Sequence, residues 1–200
     1  MNLPYPAEFR TSAGEAVMEK LRPAGVVLGG TLLAAVCAHV VLPLSFTPVP
    51  LTLQPFAVLL LGLLLTPRLA AVTFATYLAE GAMGLPVFAP SAAAPTGLAH
   101  LLGPTGGYLM AYPLAAALIA WLWRRTERSF VAALLCTAAG DAVILLCGAL
   151  WFSVLPHIAT APALAVLPFL PGDALKVTGA AAMAFGWVRL RRARTGAHPK

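Results

Sequence analysis

The sequence predicts an all-α integral membrane protein of six transmembrane helices with both termini in the cytoplasm, and three observations carry that prediction. Of its 200 residues, 60% are hydrophobic and 10% charged, against about a quarter charged in an ordinary soluble domain. The apolar residues fall in long runs rather than alternating stretches, the pattern of membrane-spanning helices. Of the 13 Lys and Arg, 12 flank those runs on one face, an arrangement that needs an even number of spans and that the positive-inside rule assigns to the cytoplasm.

The first 23 residues contain Glu8, Arg10, Glu15, Glu19, Lys20 and Arg22 and no apolar h-region, so no cleaved secretory signal is expected. Thr11–Leu21 is expected as a short amphipathic helix lying along the membrane surface. The first span is Ala24–Leu42. Its small residues Gly30, Ala34 and Ala38, four apart, let another helix approach closely, either inside the bundle or as a docking face for a separate subunit. The second span, Leu53–Thr66, and the third, Leu69–Gly84, are short and turn at Thr66-Pro67-Arg68. The fourth, Gly107–Trp123, ends at Arg124, Arg125 and Arg128. The fifth is Phe130–Leu155, and the sixth, Asp173–Leu190, runs into Arg191, Arg192, Arg194 and Lys200. The chain thus divides into a cytoplasmic segment 1–23, a transmembrane domain 24–190 and a basic tail 191–200.

The outer connections 43–52, 85–106 and 156–172 contain no Lys, Arg, Asp or Glu but eleven of the chain's 18 prolines. Proline fixes φ and removes a donor, so these segments are stiff. Charge-free and stiff, they are expected to fold over the bundle and line a cavity; passive connection is the alternative. The basic charge is spent on topology and leaves no nucleic-acid partner to expect.

Four ionisable residues interrupt the apolar spans: Glu80, Asp141, Asp173 and Lys176. Each costs about 2.5–3.5 kcal/mol to insert and so needs a partner or a task. Helical rise puts Glu80 roughly 18 Å and Asp141 roughly 20 Å above the basic face, near the outer end where Asp173 and Lys176 open the last span. Asp173 and Lys176, three apart, share a helix face. Asp173 could be a simple N-cap. Lys176 opposes the helix dipole there, and either snorkels outwards or pairs with Asp173 and receives an anionic ligand. In Gly103-Pro-Thr-Gly-Gly-Tyr108, Gly106 and Gly107 either bring free helix amides to a polar ligand or make a tight turn. His39, His100 and His157 lack metal-ligand spacing, and Cys37, Cys136 and Cys147 read as core thiols. The 200 residues hold no Walker A sequence, HExxH, CxxC pair or nucleophile elbow. No catalytic residue, metal or cofactor is therefore expected.

Four stretches resemble the BioY family, the biotin-specific S components of energy-coupling-factor (ECF) transporters: Thr47-Pro-Val-Pro-Leu-Thr-Leu-Gln54, Gly84-Leu-Pro-Val-Phe88, Leu102-Gly-Pro-Thr-Gly-Gly-Tyr108 and Leu167-Pro-Phe-Leu-Pro-Gly-Asp-Ala-Leu-Lys176. The resemblance covers roughly residues 25–190. It implies an S-component bundle in a bacterial inner membrane, with biotin beneath the first outer loop. Asp173 and Lys176 match the family's ligand-contacting pair, with Gln54, Asp141, Tyr108, Gly106, Gly107, Phe88 and Glu80 as further substrate contacts. A lysine suits biotin's valerate carboxylate, and an acid suits its ureido N–H donors. The resemblance also implies partners, a transmembrane T component and two cytosolic ATPases, docking on the small-residue face of the first helix. The sequence departs from the family at Asp141, where Asn is common, at Glu80, usually apolar, and over Pro90–His100, often glycine-rich. Another vitamin, solitary biotin transport, an intramembrane enzyme using Glu80, Asp141 and Asp173, or a structural subunit are the competing readings.

Overall fold

A computed structural model describes residues 8–90, 96–155 and 165–194, with side chains from residue 22 onward. Among these residues the chain is mostly helical: α1 Glu8–Ala38, α2 Gln54–Leu64, α3 Pro67–Ala82, a single turn α4 Leu98–Leu101, α5 Gly106–Trp123, α6 Phe130–Val154 and α7 Leu170–Arg194. Six helices thus cover the six apolar runs, α1 beginning well before the first of them and α2 being only 11 residues long. His157 and the prolines at 95, 156 and 162 lie outside the described residues.

Local chemistry explains the boundaries. Thr66 accepts from the Leu69 amide at 3.3 Å and Pro67 occupies the first position of α3, where a missing N–H costs nothing. Ser129 accepts from the Ala132 amide at 3.1 Å and starts α6. The N-terminal stretch departs from expectation: Thr11–Leu21 forms no separate surface helix but continues through Pro23 as one helix with the first apolar run.

The first outer connection is a small hairpin. Strands β1 (Val41–Leu42) and β2 (Leu51–Thr52) pair antiparallel, Val41 opposite Thr52 and Leu42 opposite Leu51, and the Leu53 amide adds a 3.1 Å bond to the Val40 carbonyl. Two-residue strands carry no alternation to read in a sequence.

Polarity is inverted relative to a soluble bundle. On α6, Val131, Leu135, Leu146, Leu150 and Val154 are all more than 60% exposed, while Ala133, Gly140, Asp141 and Gly148 face inward. Helices α5 and α6 are each long and apolar enough to cross a membrane. By contrast, α2, with 11 residues, rises only about 17 Å.

The interior is filled by Phe74, Tyr77, Ile119, Ile144 and Phe152. Phe74 meets Tyr112 edge-on with ring centroids 5.9 Å apart, and Tyr77 meets Phe88 at 5.4 Å. Such pairs contribute about 0.5–1.5 kcal/mol beyond area burial. Between apolar helices in lipid, close packing of this kind replaces the hydrophobic effect as the cohesive term.

Gly30, Ala34 and Ala38 belong to that packing, the first of the two roles their spacing allows. Ala34 is 1% and Ala38 0% exposed. A Cβ at Gly30 would stand 2.5 Å from Thr73 Cγ2 of α3. The small residues are small because α3 lies against them. The open side of α1 carries Gly25 and Gly29, where an added Cβ would meet nothing within 4 Å.

Candidate functional site

The hairpin-side ends of α2, α5 and α7 and the middle of α6 enclose a pocket of about 540 Å³, its mouth included. Its walls are mostly apolar: Val49 and Pro50 from the hairpin loop, Tyr108 and Tyr112 one turn apart on α5, Ile144 and Leu145 on α6, and Phe169. Into this lining project Thr52, Gln54, His100, Thr105, Asp141, Asp173 and Lys176.

The charged group is built from two helices. Lys176 Nζ donates to Asp173 Oδ1 at 2.7 Å, with the two side chains 7% and 5% exposed. Asp173 stands in the first turn of α7 and its amide donates to the Phe169 carbonyl at 2.8 Å. The i,i+3 spacing brings the two side chains together, and lysine's remaining two N–H donors stay available to the cavity. Across the pocket, Asp141 of α6 is 7% exposed and its Oδ1 has no hydrogen-bond partner. The Thr105 hydroxyl is likewise buried without a partner. Both residues line the cavity, and an orphaned buried polar group forfeits about 1–3 kcal/mol.

A second layer holds this lining rigid. Gln54 Nε2 donates to Tyr77 Oη at 2.6 Å, and Tyr77 Oη donates to the Val87 carbonyl at 2.6 Å. The start of α2 is thereby tied to α3 and to the second outer connection. Tyr108 Oη donates to the Ala165 carbonyl at 2.6 Å, and Trp151 Nε1 to the Gly103 carbonyl at 2.9 Å. The second and third connections are thus anchored by side chains of the bundle, and hairpin, second connection and Phe169 all reach the pocket.

Of the nine expected substrate contacts, the structure brings five together: Asp173, Lys176, Asp141, Gln54 and Tyr108. The other four serve the scaffold. Glu80 turns toward α1 and accepts from Thr31 Oγ1 at 3.2 Å, so it answers an interhelical hydroxyl rather than the cavity. Phe88 lies over Gly81, stacked between Tyr77 and His100, whose ring centroid is 5.1 Å away. At Gly106 a Cβ would strike the Leu101 carbonyl, and at Gly107 it would strike Trp151 and come within 2.6 Å of the Cys147 carbonyl. Both glycines let α5 pass close to its neighbours. Conversely, sequence reasoning passed over Tyr112 and Thr105. Tyr112 is one turn beyond Tyr108, a legible signal. Thr105 lies inside a quoted motif, but nothing in the sequence marks its hydroxyl as unpaired. His100, which shows no metal-ligand spacing in the sequence, lines the pocket.

Known proteins share this architecture and sequence. A model of the BioY family matches residues 11–193. A probable biotin transporter BioY of Pyrococcus horikoshii is 42% identical over 140 residues, covering 70% of this chain and 81% of the relative. The biotin transporter BioY of Thermotoga maritima is 38% identical over 168 residues, covering 84% and 94%. A crystal structure of the S-component for biotin from an ECF-type ABC transporter superposes with a TM-score of 0.75 at 26% identity, covering 87% of this chain and 93% of that one.

Proposed function

The chain belongs to the BioY family, and on that premise we propose that it captures biotin in the pocket above as the S component of an ECF-type uptake transporter. It is a transport protein and not an enzyme. The observation that carries the substrate assignment is the pairing of an apolar cleft with a partnerless Asp141 oxygen opposite a buried Asp173–Lys176 pair. Biotin offers a matching inventory: apolar thioether ring and alkyl chain, ureido N–H donors for Asp141, and a carboxylate for the two uncommitted protons of Lys176.

The ion pair favours a second orientation within the same pocket. Asp173 already balances the Lys176 charge, so the pair also complements a neutral ureido group, whose oxygen accepts from the ammonium and whose N–H donates to a carboxylate. The carboxylate would then face the mouth.

In the membrane, the six long helices span with both termini cytoplasmic and the pocket outside, because Arg68, Arg124, Arg125 and Arg128 gather at the opposite end. Short α2 spans only together with the hairpin that precedes it. The bundle and the basic tail keep the division proposed from sequence, while residues 8–23 extend the first helix toward the cytoplasm. The 200 residues carry no nucleotide-binding motif, so ATP-driven reorientation falls to a T component and two cytosolic ATPases. The open Gly25/Gly29 side of α1 is the surface that supports close approach by such a partner.

Isothermal titration of the purified chain with biotin, thiamine, riboflavin and pantothenate tests the assignment. Saturable binding of biotin alone is expected. Binding of another vitamin in its place, or of none, overturns it.

A further inference from the structure

The opposite end of the bundle holds a second hollow with different chemistry. It is bounded by the end of α2 (Leu63–Leu65), the end of α5 and the turn after it (Trp123, Arg124, Arg128), and the last turns of α7 (Ala184, Trp187, Val188, Arg191). Its volume with the mouth is about 540 Å³. Three arginines from two stretches, the turn after α5 and the end of α7, converge on it, and no Asp or Glu among the described residues lines it. Arg191 stacks on Trp187 with its guanidinium 4.8 Å from the ring centroid. Trp123 forms a buried floor, while Leu64 and Trp187 are about half exposed at the rim, 44% and 49%.

We propose that this hollow binds the phosphate group of an anion, drawn either from an anionic phospholipid in the adjoining leaflet or from a soluble phosphate. Arginine forks match phosphate oxygens, and a basic recess between helix ends with an apolar rim suits a headgroup whose chains continue into lipid. The simpler role for arginines beyond helix C-termini is to cap carbonyls and complement the dipole. Arg124 and Arg128 do neither through a side-chain bond: among the described residues no ion pair or side-chain hydrogen bond engages them. Arg128 also adopts φ 55°, a left-handed conformation that glycine reaches freely and an L side chain at a cost. An arginine held there against its backbone preference, with its side chain lining a cationic hollow, suits an anion site. The only nearby acid of that turn, Glu127, does not line the cavity and pairs with neither arginine.

The test titrates short-chain dioctanoyl phosphatidylglycerol into the full chain purified in neutral detergent, with dioctanoyl phosphatidylcholine and inorganic phosphate as parallel arms. Phosphatidylglycerol should bind saturably and at least about tenfold more tightly than the zwitterionic lipid. A basic side chain at an anionic leaflet typically confers roughly a fivefold preference. Arg124→Gln with Arg128→Gly should therefore weaken phosphatidylglycerol roughly 25-fold and leave phosphatidylcholine unchanged. Arg128→Gly alone guards against misfolding, because it relieves the left-handed residue: lipid-free thermal stability should hold or rise while phosphatidylglycerol weakens about fivefold. Inorganic phosphate binding that is lost in the double variant would support the same chemistry with a soluble source. Equal binding of the two lipids, or unchanged phosphatidylglycerol binding in the double variant, would overturn the proposal. Neither outcome bears on biotin, whose pocket lies at the other end.

Discussion

Replacing Lys176 by glutamine removes one charge from the pocket while keeping a polar side chain of similar reach. The ammonium is 2.7 Å from Asp173 Oδ1, and both side chains are more than nine-tenths buried. Two consequences follow with different magnitudes. Breaking a buried pair leaves Asp173 uncompensated, which costs about 3–5 kcal/mol for a full truncation; the glutamine amide still donates to Asp173 and should hold the loss to the lower part of that range. Binding is affected separately. A hydrogen bond to a charged group contributes about 1.5–3 kcal/mol and a neutral one about 0.5–1.5. If Lys176 meets the carboxylate, Lys176→Gln should weaken biotin roughly 10- to 100-fold, and biotin amide, whose neutral end accepts from the ammonium without forming an ion pair, by less. Calorimetric titration of both ligands into both proteins, with thermal unfolding as the stability control, reads all four values. Equal losses for acid and amide would remove Lys176 from the carboxylate and leave the ureido orientation standing. No loss for either ligand would take Lys176 out of the site.

Three further outcomes follow from the same geometry. Asp141→Leu removes an orphaned oxygen, so ligand-free stability should hold or improve while biotin affinity falls by about 1–3 kcal/mol; thermal unfolding beside titration checks it, and unchanged affinity would exclude Asp141 from the contact. Gly107→Ala pushes a Cβ onto Trp151 and the Cys147 carbonyl of the neighbouring helix, where backbone cannot yield. It should destabilise by about 1–3 kcal/mol, seen as a lowered unfolding midpoint, with a normal midpoint counting against the close approach. Ala34→Leu, at a position 1% exposed, should destabilise the isolated chain by a similar 1–3 kcal/mol, whereas Gly29→Leu on the open side should leave stability intact and impair uptake in cells.

Much of the fold was legible because membrane segments obey few rules. Every long helix lies under an apolar run, and Thr66-Pro67 and Ser129 mark their starts by capping chemistry that is local in sequence. The hairpin at Val41–Leu42 and Leu51–Thr52 was not legible, since its register depends on how the loop rests over α2 and α5. Within the site, Asp173 and Lys176 were readable because three residues of helix bring them to one face. Glu80 illustrates the limit. Its depth was inferable from helical rise, but depth carries no azimuth, and its rotation about α3 points it at Thr31 instead of the cavity.

The sequence by itself determined that this chain is a bundle of apolar helices with its basic residues at one end and buried acids and a lysine near the other. Those properties follow from the cost of charge in hydrocarbon, which depends on residue type and position along a helix. Only the tertiary structure decided which small residues are packed and which are open, and which polar atoms share a cavity. Gly30 and Gly29 are adjacent in the chain, yet one is filled by Thr73 and the other faces empty space. Asp141 lines the same pocket as Asp173 and Lys176 because α6 is rotated to turn that side chain toward α7. Composition and spacing do not encode that rotation; it is settled by how whole helices interlock.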